Sequence, residues 1–295
     1  MRPTGGERDG SAAWDVARPQ RPCRLPGVDM AAFGVPGSLV DGLRVVPHPA
    51  VMLILLFGPG ETAVDDGSGR RQCGSLVAGS GFGSGGAVRA WGEHVECVQV
   101  RLSPVVAGMV LGVGPDELAG GVVSLDDLWG REAAGVRERL EGAPTWQERF
   151  AVTEAVLARR LGARPRVDPE VVRAWRRIVA GRGLVRVEDL ASEVGWSRKR
   201  LWSRFRAQAG MPPKSAARLV RFDHAVHRLV AGEGPARVAA ESGYFDQPHL
   251  HRDVMEFAGV TPAAVAGEPF LTVDGLAWPG SAHPSPRAAA GGPGR

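Results

Sequence analysis

Eight basic side chains fall between Gly195 and Arg221, and no acidic residue lies among them. All 32 Asp and Glu residues of the chain are therefore outside this stretch. A confined cluster of Arg and Lys is suited to binding the phosphate groups of nucleic acid. The eight are Arg198, Lys199, Arg200, Arg204, Arg206, Lys214, Arg218 and Arg221.

Part of this cluster is predicted to lie on one helix. Ser197 is placed to cap the helix start, and the apolar pair Leu201 and Phe205, four residues apart, should face the core. Trp202 either stacks against nucleic acid or fills the contact between two helices. The side chains predicted to contact nucleic acid here are Arg198, Lys199, Arg200, Trp202, Ser203 and Arg206.

A second group of polar side chains follows Asp246, which is also predicted to cap a helix. The predicted contact residues at this helix start are Gln247, Pro248, His251 and Arg252. Gln and Arg can bond in pairs to the edges of adenine and guanine. Residues 232–267 hold five acidic and two basic residues, which predicts that the first group dominates binding to any sequence.

The two groups belong to a passage that occurs twice, at 190–213 and 238–262. The matching pairs are Ala191 with Ala239, Glu193 with Glu241, Gly195 with Gly243, Trp196 with Tyr244, Leu201 with Leu250, Gly210 with Gly259 and Pro213 with Pro262. Each copy predicts a short helix, a tight turn at Gly and a longer helix. This is the pattern of a helix-turn-helix, whose second helix can enter a DNA major groove.

Residues 213–231 between the copies predict one long helix. Its buried side should carry Leu219, Phe222, Val226, Leu229 and Val230. Nineteen residues correspond to about 28 Å of helix. Such a spacer could hold two reading helices about one turn of DNA apart, roughly 34 Å.

On these motifs the stretch 187–265 resembles the DNA-binding module of AraC/XylS-type transcriptional regulators. The second copy reads Gly243-Tyr244-Phe245-Asp246, then Leu250 and Arg252, then Gly259-Val260-Thr261-Pro262, in register with the family pattern. In the first copy, Ser203 stands where the family usually has Arg, and in the second, Val254 replaces a common Phe. The resemblance implies seven helices that carry two helix-turn-helix motifs joined by a long helix.

The same resemblance implies the biological role. It predicts a cytoplasmic, sequence-specific regulator of transcription that binds double-stranded DNA. It further implies an activator that contacts RNA polymerase, with an N-terminal domain that senses a small-molecule effector, forms a homodimer, or does both. The longest aliphatic run, 51–57, is too short to span a bilayer, so no membrane association is predicted. No cofactor, metal or catalytic residue is predicted either, and no residue is assigned to effector binding.

The N-terminal part has a different pattern. Strands are predicted at 51–57, 76–78, 87–91 and 95–102, followed by helices at 104–111, 131–141 and 145–162. These elements predict an α+β domain before the all-α domain. Short passages such as Val46-Pro47-His48-Pro49 resemble, more weakly, partly β-barrel-like sensor domains that bind a ligand or mediate association.

Composition sets the predicted boundaries. The Pro- and Gly-rich ends, 1–28 and 267–295, are predicted to be disordered. Residues 29–162 form the predicted sensor or dimerisation domain, 163–167 the linker and 168–266 the DNA-binding domain. The net charge of +4 is compatible with nucleic acid, but only two of 36 basic residues are Lys, so the placement of charge is the stronger argument.

The alternative class is an enzyme, either a cupin-like metal-dependent one or a DNA-repair protein fused to a DNA-binding module. His48 and His94 are the candidate metal ligands, but the sequence shows no H-x-H spacing. Three widely spaced cysteines, Cys23, Cys73 and Cys97, do not form a four-Cys zinc motif. The Gly-rich run 79–86 lacks a following Lys, so it is interpreted as a loop and not as a phosphate cradle.

Overall fold

The computed structural model describes residues 14–39, 42–65, 70–81, 88–118, 121–162 and 167–278. An N-terminal domain built mainly from one sheet precedes a helical C-terminal domain, which confirms the predicted fold class. The predicted linker lies almost wholly outside the described residues, and so does most of the Gly-rich run 79–86.

The sheet is antiparallel, with strand order β1-β2-β8-β4-β7-β9, while β3 and β5 pair with β8, and β6 pairs with β5. Its strands, among the described residues, are β1 (Asp15–Ala17), β2 (Val28–Ser38), β3 (Leu43–Val45), β4 (Val51–Phe57), β5 (Glu61–Asp65), β6 (Arg71–Cys73), β7 (Leu76–Ala78), β8 (Val88–Leu102) and β9 (Val122–Ser124). Strand β8 is thus the centre of the domain.

The two strands predicted at 87–91 and 95–102 are one strand, β8. Its first half pairs with β3 and β5, and its second half pairs with β2 and β4. Between the halves, His94 has a positive φ of 48° and is exposed. Gly92 breaks the alternating pattern in the sequence, but it pairs with Thr62 of β5 on one edge and accepts a hydrogen bond from the Leu39 N–H at 2.8 Å on the other, which keeps the backbone extended there.

Alternation along the strands divides the sheet into two faces. On β8, Val98, Val100 and Leu102 belong to the core under the N-terminal helices, whereas Cys97 belongs to a cluster on the other face. The N-terminal helices are α1 (Pro104–Leu111), α2 (Leu125–Trp129), α3 (Arg131–Glu141) and α4 (Trp146–Gly162). Those of the C-terminal domain that the structure describes are α5 (Pro169–Ala180), α6 (Val187–Glu193), α7 (Arg198–Ala209), α8 (Pro213–Val230), α9 (Pro235–Glu241), α10 (Gln247–Ala258), α11 (Pro262–Val265) and α12 (Pro269–Ala277).

Both predicted disordered ends are too long. At the N-terminus, β1 pairs with β2, and the Trp14 ring packs edge-on against Phe33 with centroids 6.2 Å apart. At the C-terminus, α12 follows the DNA-binding module and buries Phe270 and Leu271. Trp14, Phe270 and Leu271 have no apolar packing partner within their own segments, and residues distant in the sequence provide it. Residues 1–13 and 279–295 lie outside the described part of the chain.

The two domains share packing in several places, and two of them involve the helix-turn-helix cores. Val105 of α1 belongs to the core that contains α5, α6 and α7. Val46, which follows β3, belongs to the core that contains α8, α9 and α10. The N-terminal domain therefore contacts each half of the helical domain separately.

Candidate nucleic-acid interface

The first helix-turn-helix consists of α6 and α7. Gly195 in the turn has a φ of 69°, in the left-handed region that L side chains rarely adopt. The Ser197 hydroxyl accepts a hydrogen bond from the Arg200 N–H at 3.2 Å, so Ser197 caps α7 as predicted. The turn and the cap together fix where α7 begins.

The orientation of α7 follows from its apolar side. Leu201 and Phe205 are fully buried, and Phe205 packs against Trp175 of α5 with ring centroids 6.5 Å apart. Trp202 is 47% exposed, which supports the contact-surface interpretation over the helix-packing one. All six side chains predicted to contact nucleic acid on this helix are exposed: Arg198, Lys199, Arg200, Trp202, Ser203 and Arg206.

Fewer members of the basic cluster are free of ion pairs in the structure than the acid-free stretch of sequence suggests. Arg204 donates to Asp168 at 2.7 and 2.9 Å, and Arg198 donates to Glu188 at 3.0 Å. The bonds from Arg204 lower the pKa of the Asp168 carboxyl. Arg218 and Arg221 also pair with acids, described below. These acids come from distant parts of the sequence, so the acid-free stretch does not show them.

Three cations on α7 form no ion pair within the part of the chain that the structure describes: Lys199, Arg200 and Arg206. Arg200 lies over the Trp196 ring at 4.6 Å, and Arg206 lies over Trp202 at 5.4 Å. An aromatic face holds a guanidinium without neutralising its charge. These three side chains therefore provide the positive charge of α7 that is not compensated by an ion pair.

The second helix-turn-helix consists of α9 and α10. Gly243 in the turn has a φ of 72°, in the left-handed region that L side chains rarely adopt, so the turn favours glycine. Asp246 caps α10 by accepting from the His249 N–H at 2.8 Å. The helix buries Leu250 and Val254, and its predicted contact residues Gln247, Pro248, His251 and Arg252 are exposed.

Sequence reasoning missed Phe245, whose side chain is 94% exposed immediately before the α10 cap. Tyr244 beside it is buried and packs edge-on against His249 at 5.2 Å. Two adjacent aromatic residues at a tight turn cannot both point into one core, and this was the available signal. An exposed aromatic ring at the start of a reading helix suits contact with a thymine methyl group.

Helix α8 connects the two motifs and is fixed to α10 by charge. Arg218 donates to the buried Asp253 carboxylate at 3.0 and 2.8 Å, and it also pairs with Glu256. Arg221 Nη2 lies 3.5 Å from Asp253 and its guanidinium lies over the Tyr244 ring at 4.7 Å. These contacts set the orientation of the second motif relative to the spacer.

His48, a candidate metal ligand in the sequence, lies instead in an interdomain ion-pair cluster. Its Nδ1 lies 2.8 Å from Asp223 of α8, and its Nε2 lies 3.3 Å from Arg101 of β8. His94 is on a different part of the sheet, so the structure does not bring the two histidines together. Among the described residues no group of three or more His, Cys, Asp or Glu is placed to hold a metal ion.

Residues 190–267 match a protein family described as a helix-turn-helix domain, of the AraC type. The match includes both glycine turns and both exposed helix starts. The C-terminal part of the chain carries an AraC-type helix-turn-helix domain, and this domain supports the role of a DNA-binding transcriptional regulator. A domain of this type supports DNA binding by the C-terminal module.

Three solved structures of regulators are similar to this one. ToxT from Vibrio cholerae has 8% identity, covering 84% of this chain and 98% of that chain, with a TM-score of 0.44. The C-terminal domain of AraT from Geobacillus stearothermophilus has 20% identity, covering 35% and 87%, with a TM-score of 0.33. The AraC-like activator CuxR has 18% identity, covering 80% and 90%, with a TM-score of 0.27. No curated protein sequence matches the regulator.

A cavity of about 650 Å³ lies between the N-terminal domain and the helical domain and is lined by residues of both. Met109, Trp175 and Val179 supply apolar parts of its wall. Its charged lining includes Asp29, Arg101, Arg176, Arg182 and Asp223.

Among the helices that the structure describes, none is both long and apolar enough to cross a lipid bilayer.

Proposed function

We propose that the regulator reads two neighbouring major grooves of double-stranded DNA, with α7 in one groove and α10 in the next. The observation that supports this most directly is the exposure of both capped helix starts on either side of α8. With 18 residues, α8 is about 27 Å long. This length is close to one turn of DNA, roughly 34 Å, as two adjacent reading helices require.

The two helices have different proposed tasks. Lys199, Arg200 and Arg206 on α7 are placed to bind phosphates and to provide affinity for any sequence. On α10 the exposed Gln247 and Arg252 are placed to bond base edges and so to provide sequence preference. Four of the five acids in 232–267 are paired, Asp253 and Glu256 with Arg218, and Glu233 and Glu241 with Arg228. They therefore contribute less repulsion than their number suggests.

Selection of genomic fragments by the purified protein at two salt concentrations tests the proposal. Enrichment of one bipartite site, with half-sites about one helical turn apart, would support two-groove reading. Salt-sensitive binding without any enriched sequence would mean that phosphate contacts exist and that base reading is absent. Absence of binding at low salt would contradict the proposed interface.

We propose that a small-molecule effector binds in the interdomain cavity. Arg176 and Arg182 form no ion pair with any described residue, and they face a partly apolar wall. Burying an anion next to two guanidinium groups compensates its lost hydration, and the apolar wall favours a hydrocarbon body. The expected effector is therefore a small organic acid with an aromatic or aliphatic body.

Thermal unfolding in the presence of a panel of aromatic and aliphatic monocarboxylates tests this site, with the corresponding amides as uncharged controls. An acid that binds should raise the melting temperature, and Arg182→Ala should abolish the rise. Arg173→Ala is the matched control, because Arg173 is exposed on α5 and does not line the cavity. A rise that survives in Arg182→Ala would place the ligand elsewhere.

The remaining parts of the proposed role follow from the family resemblance. They are homodimerisation, contact with RNA polymerase, activation, cytoplasmic location and the absence of catalysis. Light scattering and transcription in vitro with purified polymerase would test the first three. Metal analysis of the purified protein would test the alternative of a metal-dependent enzyme, since stoichiometric metal would favour that class.

A further inference from the structure

Helix α12 follows the DNA-binding module and packs against both domains. Phe270 and Leu271 on one side belong to the core of the second helix-turn-helix. Val273 and Ala277, together with Trp278 after the helix end, belong to the cluster on the sheet that contains Cys97. A short helix that divides its apolar surface between two domains is a connector between them.

The carboxylate of Asp274 lies at the centre of this connection and is 3% exposed. It accepts a hydrogen bond from Arg101 of β8, and its Oδ2 lies 2.9 Å from Nε2 of His227 on α8. His48 Nε2 lies 3.5 Å from its other oxygen. One carboxylate of α12 therefore joins the sheet, the segment after β3 and the spacer helix.

Arg101, His48 and His227 surround the Asp274 carboxylate and compensate its buried charge. Burial by itself would raise the pKa of Asp274, but Arg101, His48 and His227 outweigh it and hold the pKa at about 2. The Arg101 guanidinium also lies over the Trp278 ring at 4.4 Å. A buried ion cluster is a weak source of net stability but specifies one docked geometry, because any other leaves charges unpaired.

Phe270 connects α12 to the inside of the sheet. Its ring lies 5.9 Å from the His48 ring, and it lines an almost entirely apolar cavity of about 90 Å³ together with Phe33, Ile54 and Cys97. A cavity of that size leaves little room for a ligand beside Phe270. Anything larger that entered it would have to displace this ring, and α12 with it.

We propose that α12 is a latch that holds the DNA-binding module against the sheet, and that its undocking frees the module to bind DNA more tightly. This rests on the proposed DNA-binding function. In the docked state both halves of the module contact the N-terminal domain, through Val105 and Val46, so they cannot adjust independently to successive grooves. Undocking removes the contacts that α12 makes between the second half and the sheet, and so weakens the restraint on that half.

Cys97 provides a native reporter for the latch. Its thiol is 4% exposed beneath α12, and burial raises its pKa to about 12, so it should react slowly in the docked state. Cys73 is exposed and serves as the internal control. Labelling of the full chain with N-ethylmaleimide, followed by peptide mass spectrometry, measures the three thiols separately.

The test compares Asp274→Asn and Trp278→Ala with Leu276→Ala, a control on the same segment whose side chain is 62% exposed. Both latch variants should label Cys97 on the order of tenfold faster or more, with Cys73 unchanged, and should have a larger radius of gyration in small-angle scattering. Circular dichroism would verify that both variants are folded. If either fails to fold, the other carries the test.

The DNA arm measures affinity for the selected operator. The latch variants should bind on the order of tenfold more tightly than Leu276→Ala. Equal Cys97 labelling in latch and control variants would overturn the latch, and faster labelling with unchanged or weaker DNA affinity would overturn the coupling to DNA. If even the unmodified protein binds no DNA, the proposed function fails and with it the coupling, whereas labelling and scattering still decide whether α12 is a latch.

Discussion

The guanidinium of Arg218 on α8 bonds to the buried carboxylate of Asp253 on α10, at 3.0 and 2.8 Å. The two residues are 35 positions apart, and the bond joins the spacer helix to the second reading helix. In the sequence Arg218 resembles a phosphate-binding side chain of the basic stretch. In the structure it has a different task, which is to orient α10.

The first prediction concerns this pair. Asp253→Ala should lower the free energy of unfolding by about 3 kcal/mol, because it leaves two guanidinium groups without their buried partner. Glu256→Ala should lower it by less than about 1 kcal/mol, because Glu256 is 46% exposed and its charge is screened by water. Urea denaturation of the two variants measures the difference, and equal losses would contradict the assigned role of Asp253.

The second prediction concerns phosphate contacts on α7. Lys199→Ala and Arg206→Ala should each weaken DNA binding and reduce the slope of log K against log salt by about 1. Arg204→Ala is the control on the same helix, because Arg204 is held by Asp168. Fluorescence anisotropy over a salt series measures the slope. An unchanged slope in both test variants would remove α7 from the interface.

The third prediction concerns base reading by α10. Arg252→Ala should relax the preference at one base pair of the site, at a cost of about 1–3 kcal/mol on the preferred sequence only. Competition binding with single-base variants of the operator measures this. An equal loss of affinity on every sequence would instead assign Arg252 to phosphate.

The fourth prediction concerns Phe245. Because its ring is 94% exposed, Phe245→Ala should change the free energy of unfolding by less than about 0.5 kcal/mol. It should weaken operator binding by about tenfold through the loss of an apolar base contact. Thermal denaturation and anisotropy together make the test, and unimpaired binding would show that the ring does not face DNA.

The fifth prediction concerns pH. Burial by itself would lower the pKa of His227, but Asp223 and Asp274 outweigh it, so the pKa is raised above its usual value of about 6.5. Its contribution to stability is therefore complete below about pH 6.5 and is lost as the pH rises through the raised value. The same cluster contains Arg101, which pairs with Asp274 of α12, and His48, which bonds to Asp223. Deprotonation of His227 removes one positive charge beside Asp274 and should therefore loosen α12.

The measurement is the free energy of unfolding between about pH 6.5 and 8, where it should fall for the unmodified protein and fall less for His227→Gln. The neighbouring His224 acts in the opposite direction. Burial lowers its pKa, with Arg182 and Arg228 contributing, so its penalty lies at acid pH and fades as the pH rises. Identical pH profiles for the two proteins would contradict the role of His227.

The two reading motifs were predictable from the sequence because their determinants are local. A glycine with positive φ, a capping Ser197 or Asp246, and apolar residues four apart act within one or two helical turns. Such features define α7, α8 and α10 wherever the rest of the chain lies. For the same reason the solvent-exposed side of each helix could be predicted residue by residue.

Tertiary structure decided which charges remain available. The acid-free run from Gly195 to Arg221 suggested a continuous phosphate surface, but Asp168, Glu188 and Asp253 engage four of its members from outside the run. Ion pairing depends on distance in space, and distance along the chain does not predict it. Only the fold shows that Lys199, Arg200 and Arg206 remain as the main cations of α7.

The sequence by itself determined the duplicated helix-turn-helix, its caps and its spacer, because each depends on neighbours a few residues away. It did not determine α12, whose nine residues include Gly275 and are too few to form a stable isolated helix. That helix is stabilised by tertiary contacts, because its apolar side chains pack into two cores and Asp274 pairs with Arg101. Contacts between residues 173 positions apart belong to the tertiary structure alone.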